Sequence, residues 1–159
     1  MKLGNVDIDN DVFVIAEIGG NHEGSFERAK MLTTLAIESG AHAVKFQTYK
    51  GDKLVSKVEG AVRNSHFKKF ELGYEQFLEL AKMVRDAGKI FMTSVWDIDS
   101  LNALDHWLDI YKIGSGDLTN YEMLEALAKK NKPIILSTAM ANIDEIKNTV
   151  KFIEGINPR

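Results

Sequence analysis

Short apolar runs and helical stripes take turns along this chain. The runs are Phe13 to Ile18, Ala43 to Phe46, Ile90 to Thr93, Ile110 to Ile113 and Ile134 to Leu136, each with the length and composition of a buried strand. Between them the apolar residues fall three and four apart. Ser25 is placed to cap a helix through Arg28, Leu32 and Leu35 to Glu38, which Gly40 ends. Tyr74 to Asp86 repeats the pattern, with Phe77, Leu78, Ala81 and Val84 facing inward. Asp97 and Asp99 read as caps of the third helix. Thr119 with Glu122, and Asn142 with Glu145, have capping-box spacing and start the fourth and fifth. A strand followed by a helix, five times over, predicts a parallel sheet, because each right-handed crossover needs a helix to cover a sheet face. A doubly wound sheet and a barrel both satisfy the pattern. Residues 1 to 12 read as an N-terminal extension or small hairpin, and 13 to 159 as one domain. The longest connection, Thr48 to Leu72, carries Lys50, Lys53, Lys57, Arg63, Lys68 and Lys69. It reads as a long loop, of the kind that is often functional, with its lysines on a solvated face.

Each apolar run ends in polar residues. Glu17 closes the first, Lys45 and Gln47 the second, Thr93 and Ser94 the third, Lys112 and Ser115 the fourth, Ser137 and Thr138 the fifth. A charge in an otherwise apolar strand is costly to bury without a partner or a solvated cavity, so these positions carry information that a surface lysine does not. In parallel α/β folds the carboxyl ends of the strands form the rim on which active sites are built. Lys45 and Gln47 share one strand face and Val44 and Phe46 the other, which turns the polar pair away from the helices. Lys112 followed by Gly114, Ser115 and Gly116 ahead of a helix has the makings of an anion cradle: close backbone approach, a hydroxyl donor and a helix dipole. Two strand-borne lysines suit a small dianion. Taken singly, each feature has a plainer explanation. Glu17 and Lys45 can form a structural ion pair, Gly114 to Gly116 can be a simple turn, and Ser137 and Thr138 can be turn formers. His22, His42, His66 and His106 have no metal-ligand spacing and read as surface or internally satisfied histidines.

Bulk properties remove several classes of function. The 159 residues are 45% apolar and 27% charged, and 20 basic residues are mixed with 23 acidic ones for a net charge of -3. That balance offers no basic face for nucleic acid. Zero cysteines exclude disulfides and thiolate metal sites. No run reaches the length of a membrane span and no signal-peptide pattern opens the chain, so the expected compartment is the cytoplasm.

Four ordered segments carry a family resemblance. FVIAEIGGNHEGS (Phe13 to Ser25), AVKFQT (Ala43 to Thr48), YKIGSGDLTN (Tyr111 to Asn120) and KPIILSTAM (Lys132 to Met140) resemble the N-acetylneuraminate (sialic acid) synthases with their legionaminate, pseudaminate and spore-coat polysaccharide relatives. The resemblance implies a parallel (β/α)₈ TIM-type barrel followed by a small antifreeze-like domain. This chain would then hold about five of the eight βα units and be truncated. It also implies a reaction: C3 of phosphoenolpyruvate attacks the aldehyde of an open-chain N-acetylhexosamine such as N-acetylmannosamine, water adds at C2, and phosphate leaves by C–O cleavage. By position, Lys45, Lys112, Ser115 and Ser137 correspond to phosphoenolpyruvate ligands. Glu17, Gln47 and Ser94 correspond to the sugar side, with Glu17 at the reaction centre. Asp117 stands where most members have glutamate, as a candidate acid or base for the water addition. Ser94-Val95 replaces a usual Thr-Pro, and Ala139 a usual glycine. The family's divalent metal, manganese or magnesium, is held by histidines of later strands that have no counterpart before Arg159, so no metal ligand is expected in this chain. The expected partners are phosphoenolpyruvate and an amino-sugar, with a homodimer or a companion chain completing the barrel. The isolated chain is expected to be inactive. The alternative is a non-catalytic anion-binding or assembly fragment that keeps the cradle.

Overall fold

The computed structural model describes residues 1–157. The chain divides into two compact units, Met1–Asp109 and the segment from Ile110 onward. Within the described residues the strands form three separate sheets and no closed barrel.

The first unit opens with a small antiparallel hairpin, β1 (Lys2–Leu3) and β2 (Val6–Asp7). The parallel sheet follows, in the order β3 (Ile15–Gly19), β4 (Ala43–Thr48), β5 (Ile90–Val95). Register sets Glu17 beside Lys45, and Gln47 beside Ser94. Helix α1 (Phe26–Glu38) begins at Ser25, whose side chain accepts from the Arg28 amide at 3.3 Å, and Gly40 follows its end at φ +83. Phe46 is fully buried, edge-on to Phe77 at 6.1 Å and tilted against Phe91 at 5.6 Å. Phe77 belongs to α4 (Tyr74–Asp86), which presents Phe77, Leu80, Ala81 and Val84 to the core. Leu80, not the expected Leu78, completes that face: three residues after Phe77 and four before Val84, it lies on the same stripe.

The stretch from Thr48 to Leu72 is not the long loop that its sequence suggests. It folds into α2 (Gly51–Leu54) and α3 (Ala61–Lys69). A buried asparagine organises them, because Asn64 Nδ2 donates to the carbonyl oxygens of Gly51 (3.1 Å) and Val55 (2.8 Å). Lys53, Lys57, Lys68 and Lys69 do face solvent, whereas Lys50 is half-buried with its ammonium over the Tyr74 ring at 4.6 Å. Lys57 and Lys68 pair with Asp52 at 2.8 and 3.1 Å, and together with the Asn64 amide they hold its carboxyl well below the usual carboxylate range. Helix α5 (Ile98–Leu104) starts at Asp97, which accepts from the Ser100 amide at 2.8 Å. Asp99 is not a cap; it lies in the first turn, 2.8 Å from Lys53.

The second unit pairs β6 (Tyr111–Ile113) with β7 (Ile134–Leu136) in parallel, setting Lys112 beside Ile135. Gly114 leads into one 3-10 turn, Ser115–Asp117, and α6 (Tyr121–Ala128) begins only afterwards. The cap of α6 is Asn120, which accepts from the Met123 amide at 3.3 Å, and not the expected Thr119. The intervening 3-10 turn moves the helix start one residue along, and asparagine serves there at least as well as threonine. Helix α7 (Ile143–Ile156) has the full capping box of Asn142 and Glu145. Its buried Thr149 donates to the Leu118 carbonyl oxygen at 2.9 Å, tying helix and turn together. No helix among the described residues is long and apolar enough to cross a membrane.

Candidate functional site

In the first unit the polar strand ends form one connected group. Lys45 is 7% exposed, and its ammonium forms an ion pair with Glu17 on the neighbouring strand. Its other contact is long, 3.5 Å to the hydroxyl of Ser94, which is itself 5% exposed. Alternation explains the arrangement: Val44 and Phe46 point into the helix-covered core, so Lys45 and Gln47 emerge on the opposite face. The Glu17 side chain is 47% exposed. The pair is therefore buried at its cationic end and wet at its anionic end. Beside it β3 turns at Gly19, φ +55, where an added Cβ would lie 3.1 Å from the Glu17 carboxylate and 3.6 Å from the Gln47 amide carbon. Glycine at that point lets both side chains lie over the backbone.

Glu17 and Gln47 line a cleft of about 360 Å³ whose other wall comes from Tyr49, His66, Phe67 and Phe70. Those aromatic residues escaped sequence reasoning, because the Thr48 to Leu72 stretch has no strong periodicity and its lysines dominate its appearance. The signal that could have found them is aromatic spacing: His66, Phe67 and Phe70 occupy adjacent positions on one helical turn.

The second unit has its own polar group. The Lys112 ammonium donates to the Ile113 carbonyl oxygen at 2.7 Å and to the Ser137 hydroxyl, which fixes it at the carboxyl ends of β6 and β7. Ser115 is half-buried in the 3-10 turn. The expected helix dipole behind the Gly114 to Gly116 segment is absent, since a single 3-10 turn separates it from α6. Asp117 closes that turn. Burial pushes its carboxyl above the ordinary aspartate value, opposed by a hydrogen bond with Asn120.

The remaining histidines are structural. His22 is 2% exposed, its Nδ1 accepts from the Gly24 amide at 3.1 Å, and burial lowers its pKa, so the ring is neutral. His42 Nδ1 accepts from the Val14 amide at 2.9 Å, and His106 lies edge-on to Trp107. Among the described residues no group of three or more His, Cys, Asp or Glu side chains could hold a metal ion. The described residues therefore do not group ligands for the divalent metal that the resemblance implies.

In a parallel α/β chain, polar residues at the strand ends lie where such folds place their ligand sites. The comparisons make the class specific: residues 32–158 match the NeuB family, and the chain belongs to that family. It is 35% identical to the N,N'-diacetyllegionaminic acid synthase of Legionella pneumophila over 155 residues, covering 89% of this chain and 44% of that protein. It is 33% identical to the human N-acetylneuraminate-9-phosphate synthase over 159 residues, covering 92% of this chain and 44% of that one. Among solved structures, an N-acetylneuraminic acid (sialic acid) synthetase from Leptospira borgpetersenii, in complex with citrate, superposes with a TM-score of 0.92 at 32% identity. That match covers 99% of this chain and 56% of the synthetase. A Thermotoga maritima DAHP synthase, at 21% identity and a TM-score of 0.73, shares the fold. The chain spans about half the length of the curated relatives it matches.

Proposed function

We propose that this chain supplies the phosphoenolpyruvate-binding part of a nonulosonic acid synthase built on a (β/α)₈ barrel. The reaction joins C3 of phosphoenolpyruvate to the aldehyde carbon of an N-acetylhexosamine such as N-acetylmannosamine, with water adding at C2 and phosphate leaving by C–O cleavage. The observation that carries this reading is the Lys112 and Ser137 pair at the ends of β6 and β7 in a NeuB-family chain. A fixed ammonium beside a hydroxyl suits a phosphate or carboxylate oxygen, supplying one charged and one neutral donor. Lys45 and Ser115 are assigned to the same ligand on the family motifs. Glu17, Gln47 and Ser94 are assigned to the sugar side, where the exposed Glu17 carboxylate suits contact with the reacting aldehyde. Asp117 suits a proton-handling role in the water addition, because burial favours its neutral form and so lets it hold a proton at higher pH than an ordinary aspartate.

Turnover in the family uses a divalent metal, manganese or magnesium, and the described residues do not group ligands for it. The proposal for the isolated chain is binding of phosphoenolpyruvate without phosphate release. Two measurements on the 159-residue chain test this: calorimetric titration with phosphoenolpyruvate, and phosphate release with phosphoenolpyruvate, N-acetylmannosamine and Mn²⁺ together. Saturable binding without release is expected. No binding would remove the reading, and phosphate release dependent on both substrates would keep the synthase but overturn the inactivity of the chain alone.

A further inference from the structure

The cleft beside Glu17 has two chemically different walls. One is polar: the exposed Glu17 carboxylate and the Gln47 amide. The other is a run of aromatic rings. Tyr49 stacks on Trp96 at 5.0 Å and meets Phe67 edge-on at 5.4 Å; His66 meets Phe67 at 5.8 Å and lies against Phe70 at 4.6 Å. His66 is exposed and Phe67 and Phe70 are half-buried, so the run offers ring surface to the cleft.

This wall is held in place. Gly24 has φ +77, and a Cβ there would collide with the Lys69 carbonyl oxygen, so the Asn21 to Gly24 turn is packed directly on the last turn of α3. Asn64 fastens the same helix to the Gly51 and Val55 carbonyls, and Lys68 fastens it to Asp52. Ordering was completed on folding, so a ligand that uses the wall does not bear its cost.

We infer that this aromatic wall recognises the N-acyl group of the acceptor sugar, with the acyl methyl against His66 and Phe70 and the amide facing Gln47. The inference rests on the synthase reading above. An open-chain N-acetylhexosamine carries a polar group at nearly every carbon, and its one apolar group is the acyl methyl. A cleft with a polar wall and an aromatic wall sorts those two parts of the molecule. His66, Phe67 and Phe70 are thus specificity residues, distinct from the groups assigned to phosphoenolpyruvate.

The test is saturation-transfer-difference NMR on the full 159-residue chain with N-acetylmannosamine, and with mannose, which has a hydroxyl in place of the acetamido group. Phosphoenolpyruvate calorimetry runs on the same samples. The acyl methyl should receive the strongest saturation. N-acetylmannosamine should bind about tenfold more weakly to His66→Ala and Phe70→Leu, the scale of one lost apolar group in a pocket. Mannose binding and phosphoenolpyruvate binding should not change. Because His66 is exposed, its substitution leaves the fold intact, and retained phosphoenolpyruvate binding reports this. Unchanged N-acetylmannosamine affinity in both variants would overturn the inference and leave the synthase reading standing. So would phosphoenolpyruvate binding to the unsubstituted chain without sugar binding. Failure of both ligands to bind would remove the reading itself, and the inference with it.

Discussion

Lys45 and Lys112 are the two lysines that interrupt the apolar strands, in β4 and β6, yet the two units hold them differently. Lys45 lies on the middle strand of a three-stranded sheet, buried, in an ion pair with Glu17. Lys112 lies in a two-stranded sheet, half-buried, donating to a hydroxyl and a main-chain carbonyl. The first arrangement ties the lysine to a carboxylate whose far end is in water. The second builds the lysine into a donor pair with Ser137. The difference teaches that a lysine at a strand end is positioned by whatever its own sheet supplies, so the same residue type contributes differently to stability and to binding.

The largest expected effect comes from separating the two ends of the first pair. Glu17→Gln leaves a buried ammonium whose remaining contact, Ser94, is long, so the chain should lose about 2–3 kcal/mol in urea unfolding. Lys45→Met leaves only a half-exposed carboxylate, which water solvates, and should cost under about 1 kcal/mol. Equal losses in the two variants would show that burial of Lys45 does not govern the pair.

The second unit is sharpened by its caps. Asn120→Ala should destabilise it by about 1 kcal/mol and Thr119→Ala by a few tenths at most, measured by thermal unfolding. The smallest effect is a pH dependence. The folded state raises the Asp117 pKa, so it binds the proton more tightly than the unfolded chain does. Its contribution to stability is complete below the ordinary aspartate value, about pH 4, and is lost as pH rises through the raised folded value. Between those limits Asp117→Asn should flatten the fall in stability that this one group causes. Parallel pH profiles of the two proteins would contradict the assignment of burial as the cause.

Much of the strand and helix order was legible because buried strands and amphipathic helices write their periods into the sequence; Ile134–Leu136 and the capping box at Asn142 are found where the pattern puts them. The polar rim was legible for the same reason, since Lys45 and Lys112 interrupt apolar runs. The α2 and α3 segment was not, because its geometry depends on tertiary bonds: Asn64 reaching to two carbonyls, and Gly24 admitting the end of α3. No local period encodes such contacts. The Thr119 to Asn120 displacement has a similar origin, since the 3-10 turn ahead of the cap is followed by Leu118, whose carbonyl is held by Thr149 of α7.

Phosphorus NMR of phosphoenolpyruvate, titrated with the chain and with Lys112→Met, tests the central claim most directly. The account predicts a saturable shift or broadening of the phosphate resonance with the unsubstituted chain. It predicts a loss of affinity of about a hundredfold in Lys112→Met, the scale of one or two charged hydrogen bonds, in a protein that still unfolds cooperatively. Equal titration curves for the two proteins would contradict it.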